Sequence, residues 1–112
     1  MKLYDKYKLL KLQNNSKKYL FKSGNFYVFL DEDAIEISKV TVLKLTSFGN
    51  IVKCGFPVSS LDRYLKILKN IGLDVVVIER YEDIINDLSN VDLDKLSKEE
   101  LISIIERFLN SV

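Results

Sequence analysis

The stretch Gly24-Asn25-Phe26-Tyr27-Val28-Phe29-Leu30-Asp31-Glu32-Asp33-Ala34 decides how the rest of the 112-residue chain is read. Glycine enters left-handed backbone without steric cost, so Ser23-Gly24-Asn25 reads as the turn of a hairpin. Aromatic and branched side chains fit a pleated surface, and Phe26 to Leu30 is therefore predicted as its return strand. The unbroken apolar run points to burial on both faces for most of its length. Asp31, Glu32 and Asp33 put negative charge where a helix N-terminus favours it, predicting a short helix that runs to Val40. Helix capping explains these three acids more simply than a metal site does. Phe26 stands at the mouth of the strand, beside the turn and close to several lysines.

On the N-terminal side, Leu3, Tyr7 and Leu10 recur at helical spacing across residues 2–13, and Asn14-Asn15-Ser16 ends that helix. Lys17 to Lys22 then forms the outgoing strand of the hairpin. On the C-terminal side, Thr41 to Thr46 and Ile51 to Gly55 are expected to pair as a second hairpin through Phe48-Gly49-Asn50. Pro57, which cannot donate to a ladder, ends it. Ser59 with Asp62 suggests a helix cap, Leu61, Tyr64, Leu65 and Leu68 its apolar stripe, and Gly72 its left-handed C-terminal stop. Val75-Val76-Val77-Ile78 reads as a buried central strand. Tyr81, Ile84, Ile85 and Leu88 restart a helical pattern. Ser97 with Glu100 begins another, with Leu101, Ile104, Ile105, Phe108 and Leu109 on one face. The fold class is α/β (α+β), a mixed sheet built from hairpins and flanked by helices over residues 1–80. An acidic helical tail follows over 81–112.

Net charge is +1, but its distribution is uneven. Residues 1–30 carry seven lysines and one acid, residues 31–80 balance at seven each, and residues 81–112 carry three bases and eight acids. A basic head can meet phosphates; an acidic tail repels them. With no histidine, the commonest general base is missing, and the four glycines are scattered at turn positions rather than gathered in a phosphate loop. Catalysis is the least favoured class, and no cofactor is implied. No apolar run approaches 20 residues, which argues against a membrane span. The single Cys54 and the absence of a signal-like apolar segment near Met1 fit a reducing cytoplasm.

The opening stretch also resembles the Gly-x-Phe-Tyr-Glu-x-Phe-x-x-Asp-Ala signature of domain I, the mismatch-recognition domain of the MutS family. The likeness continues through Leu45-Thr46, Gly49, Cys54-Gly55-Phe56-Pro57, Tyr64-Leu65, Leu68, Gly72 and Val77-Ile78-Glu79. Leu88 to Ser97, with Glu100-Leu101, is similar to the small helical oligomerisation segment at the MutS C-terminus. Nothing in these 112 residues resembles the family's lever, clamp or ATPase domains, so ATP hydrolysis is not carried over. The resemblance implies a minor-groove wedge at Phe26, with Lys17, Lys18, Lys22 and Asn25 nearby to contact double-stranded DNA that is mismatched or distorted. The family's acid, which hydrogen-bonds the displaced base, falls at Val28. Valine can neither donate nor accept that bond, so stacking with weakened mismatch discrimination is the expectation. The alternative is a protein-interaction module that keeps the fold, pairing with itself or with a repair protein through Leu101, Ile105 and Phe108.

Overall fold

β2 (Phe26–Leu30) lies in the middle of a five-stranded sheet, between β1 (Lys18–Ser23) and β4 (Ile51–Pro57). The computed structural model describes residues 2–90 and residue 106. The remaining elements are α1 (Leu3–Gln13), α2 (Asp31–Val40), β3 (Thr46–Phe48), α3 (Leu61–Ile71), β5 (Val75–Ile78) and α4 (Tyr81–Asn90). A single 3₁₀ turn, Val58–Ser60, precedes α3. The sheet order is β3-β4-β2-β1-β5, antiparallel except for the parallel pairing of β1 with β5. This is the mixed α/β architecture expected from the sequence. The proposed helical pattern from Ser97 to Leu109 lies outside the described residues, apart from Glu106.

The chain divides into two compact units. Ser16–Glu79 carries the sheet, α2 and α3. The described parts of Met1–Asn15 and Arg80–Val112 carry α1 and α4, which contact each other. In the helical unit Tyr7, Leu9 and Leu10 of α1 and Ile84, Ile85 and Leu88 of α4 are buried. No helix among the described residues is long and apolar enough to cross a membrane.

Strand alternation sorts the sheet unit into two faces. Leu20, Tyr27, Phe29, Cys54 and Phe56 share one face and pack with Ala34 and Ile37 of α2 and Tyr64 and Leu68 of α3. Phe56 stacks on Tyr64 with ring centroids 4.5 Å apart. The other face carries Ser23, Phe26, Val28, Lys53, Gly55 and Thr46, as the pairings Ser23–Phe26, Val28–Gly55 and Thr46–Lys53 require.

Turn and cap chemistry fix these registers. Both hairpins close on a Gly-Asn pair, with Gly24 at φ +60° and Gly49 at φ +61°, a conformation glycine enters freely. Gly72 ends α3 at φ +93°, and the N–H groups of Gly72 and Leu73 reach the Lys69 and Leu68 carbonyls. Asp31 is also left-handed, at φ +53°, which lets β2 pass into α2 with no linker between them. Aspartate is among the few residues that tolerate this conformation.

Three local expectations are corrected. Thr41 to Leu45 is not a strand: the Thr41 hydroxyl donates to the Ile37 carbonyl and accepts from the Leu43 N–H, finishing α2 instead. The Gly49-Asn50 turn then confines pairing to Thr46–Phe48. Ser59 does not cap α3, because Val58–Ser60 is itself a 3₁₀ turn and the residue before α3 is Ser60. β5 lies at the edge of the sheet rather than its centre, with Val75, Val76 and Val77 only partly buried. A branched apolar run signals covered faces, not neighbours on both sides.

Cys54 is buried beneath α2, with its thiol donating to the Ala34 carbonyl at 3.5 Å. Burial pushes its pKa up to about 11 from 9.0. The folded thiol therefore binds its proton more tightly than the unfolded one. That contribution to stability is complete below the unfolded pKa and is lost as pH rises from 9 through 11. At pH 8 a disulfide reagent is expected to label Cys54 only as fast as the fold opens. Comparing labelling in buffer with labelling in urea checks this, and rapid reaction of the native thiol would contradict it.

Candidate nucleic-acid interface

The hairpin that presents Phe26 is held from both sides. Phe26 pairs with Ser23 across the turn and with Pro57 at the end of β4. The Asn25 carbonyl accepts the Val58 N–H at 2.9 Å, tying the turn to the start of the 3₁₀ segment. One residue on, Tyr27 points to the opposite face, where its hydroxyl donates to Glu79 Oε1 at 2.8 Å. That hydrogen bond, followed by burial and the nearby charges of Glu79 and Asp62, raises the Tyr27 pKa. With Tyr27 anchored inward, alternation turns Phe26 outward. Half of the Phe26 surface is exposed, in contrast to the four buried residues that follow it.

Phe26 lines an open depression of about 330 Å³. Val28 is nearly inaccessible at its base, facing Gly55 on β4. A side chain at Gly55 would close this space. A methyl group there would lie 2.9 Å from Val28 Cγ1 and against the carbonyl of Tyr27. The hydroxyl residues Ser23 and Thr46 contribute to the wall, as do Lys44 and Lys53. Lys44 is exposed, and the Lys53 ammonium stands 5.2 Å from the centre of the Phe48 ring. That cation–aromatic contact steadies the side chain while leaving it its charge.

The residues expected from the sequence are only partly brought together. Phe26 and Val28 share the depression, and Asn25 is exposed at the adjoining turn. Lys22 is exposed but pairs with Tyr27, so its Cβ leaves the opposite face from that of Phe26. Lys17 is partly exposed just before β1 and does not line the depression. Lys18 is buried, with its ammonium 3.9 Å from Asp33 Oδ1 and paired with Glu36. Its charge is balanced by these two carboxylates, Asp33 buried and Glu36 exposed.

Part of the basic head is likewise engaged locally. Lys8 lies 3.8 Å from Asp5 and above the Tyr4 ring, and Lys11 donates to the Asn15 carbonyl. The cations at the depression are Lys44 and Lys53, which charge counting along the chain did not single out. Strand alternation from Cys54 inward to Lys53 outward was the available signal. It could be used only once the register against β2 was known.

Comparison with known proteins agrees with this architecture. The family model described as MutS domain I matches residues 2–108, including most of the acidic tail. A protein of Ehrlichia chaffeensis named DNA mismatch repair protein MutS is 32% identical over 80 residues, covering 71% of this chain and 10% of its own length. The protein of that name in Cytophaga hutchinsonii is 44% identical over 69 residues, covering 57% of this chain and 8% of its own. That of Methanothrix thermoacetophila is 39% identical over 87 residues, covering 72% and 10%. The chain thus spans about a tenth of the length of these relatives. With the sheet, the Phe26 hairpin and the family match in agreement, the chain belongs to the MutS domain I family.

Proposed function

We propose that the chain is a non-catalytic DNA-contacting module of the mismatch-repair type, in which Phe26 stacks into distorted DNA. On this reading the sheet unit, Ser16–Glu79, is the recognition element, and residues 81–112 contribute an acidic tail. The observation that carries this reading is the exposure of Phe26 at the rim of a depression whose other walls hold two lysines. An outward aromatic at that place has no core to fill. It can insert where base stacking is already weakened, while ammonium groups meet the backbone. Val28 supplies no hydrogen bond to a base edge, so discrimination among mispairs is weak.

Fluorescence anisotropy with matched, mismatched and bulged duplexes, repeated at several salt concentrations, tests the proposal. Binding is expected at low salt, with log affinity falling linearly against log salt by about 0.9 per phosphate contacted. Phe26→Ala is expected to weaken binding to distorted DNA by roughly 5- to 150-fold, the range for loss of one stacked base, and to affect matched duplex much less. Absence of binding at low salt would sink the proposal, and equal loss on distorted and matched DNA would remove the stacking role.

A further inference from the structure

The outer edge of β5 supports an inference that does not rest on DNA contact. We infer that two copies of the chain pair there, β5 against β5, antiparallel about a twofold axis. The two sheets then run on as one.

Main-chain direction defines this edge. The Lys18 N–H donates to the Asp74 carbonyl at 2.8 Å, and Lys18 stands opposite Val75. In a parallel ladder this turns the main-chain groups of Asp74, Val76 and Ile78 toward β1, and those of Val75 and Val77 away from it. Among the described residues no strand lies on that outer side. The side chains of Val75 and Val77 pack against the core of the sheet unit, which holds the strand extended and its outward groups in place.

Natural sheet edges are commonly blunted by short length, lysine, proline or a bulge. β3, at the other edge, is only three residues long. β5 has four residues, all branched at Cβ, with neither charge nor proline among them. Its pairing with β1 runs residue against residue, without a bulge.

The occupant follows from what such an edge can bond. Donors and acceptors at strand spacing are matched by another extended edge. Only outward groups can meet, so Val75 of one copy lies opposite Val77 of the other, and the two Val76 residues face each other at the axis. Each such pair exchanges two hydrogen bonds, giving four in all. The ends also match in charge. Asp74 is exposed just before the strand, and Arg80, exposed and 4.0 Å from Asp83, lies just after it. Antiparallel pairing brings Asp74 of each copy toward Arg80 of the other. The edge is thus complementary to itself, as an isologous interface requires. With four strand residues a side, the pair is weak and transient.

The test follows the full 112-residue chain by sedimentation and by amide exchange in NMR. Concentrations run from about 10 μM to about 1 mM, the range of weak pairs. A monomer–dimer equilibrium is expected, with the amide hydrogens of Val75 and Val77 exchanging more slowly as concentration rises. Those of Val76 and Ile78, already bonded to β1, should keep their rates. Val75→Pro removes an outward N–H at the first residue of the strand, where proline is tolerated. It deletes two of the four bonds and should raise the dissociation constant at least about tenfold. If circular dichroism shows that this variant does not fold, charge exchange decides instead. Asp74→Arg and Arg80→Asp should each weaken pairing by about two- to fivefold, and the double variant should restore it. A strict monomer at the highest concentration would overturn the inference, as would Val75 and Val77 amides already protected in the dilute chain. A dimer left intact by a folded Val75→Pro, or by both single charge variants, would be held by another surface and would overturn it too.

Discussion

Asp33→Ala is expected to lower the unfolding free energy by about 3 kcal/mol, the lower end of the range for breaking a buried ion pair. Asp33 is 1% exposed and does two things at once. Its Oδ2 accepts the Tyr19 N–H at 3.0 Å, and its Oδ1 faces the buried Lys18 ammonium. Alanine would leave a main-chain donor of β1 without this acceptor and remove one of the two carboxylates that balance Lys18. Glu36 remains, which places the cost at the lower end. Asparagine keeps an acceptor for the Tyr19 N–H but not the charge, so Asp33→Asn should cost roughly half as much. Adding Lys18→Met to Asp33→Ala should restore part of the loss, because no buried ammonium is then left underbalanced. Urea titrations of the three variants provide the comparison, and a loss below about 1 kcal/mol for Asp33→Ala would refute the assignment.

Gly55→Ala is the second large effect, expected at about 3 kcal/mol, the upper end for overpacking. The obstacle is main chain: the new methyl would press on the Tyr27 carbonyl as well as on Val28 Cγ1. A flexible side chain could swing aside, but β2 is held by β1 on one side and β4 on the other. Relief therefore requires β4 to move away from β2, the same pairing that presents Phe26. The variant should lose stability and binding to bulged DNA together, with circular dichroism melting and anisotropy as readouts. A stable Gly55→Ala chain that bound bulged DNA like the parent would show that the close approach is not needed.

The residues that announced themselves in the sequence are those whose reasons are local. Gly24 and Gly72 were legible because their backbone conformations suit glycine, and Phe26 to Leu30 because its composition fits a pleated surface. Asp33 was legible only in part. It lies in the first turn of α2 as the three acids at a helix start implied, but its further partners, Tyr19 and Lys18, come from another element. Lys18 was then counted among the phosphate contacts although it is turned into the fold. Lys53 went unnoticed because its position beside Phe26 depends on the β2–β4 register, which no short window of sequence carries, and Lys44 because it lies in the irregular segment before β3 that the sequence reads as strand. The edge position of β5 was hidden likewise, since its composition reports how its faces are covered and not which strands flank it.

The two neighbours of β1 differ in how the chain must travel to reach them. Its bond to β2 needs only the Gly24-Asn25 turn, while its bond to β5 brings Lys18 beside Val75 after everything between has been threaded. Closing a loop costs more entropy the longer it is, by about 0.6 kcal/mol for each doubling. The Phe26 hairpin can therefore assemble before the sheet is complete, whereas β5 needs an edge already in place to join. The outward aromatic at the depression is thus borne by a part whose formation depends little on distant chain.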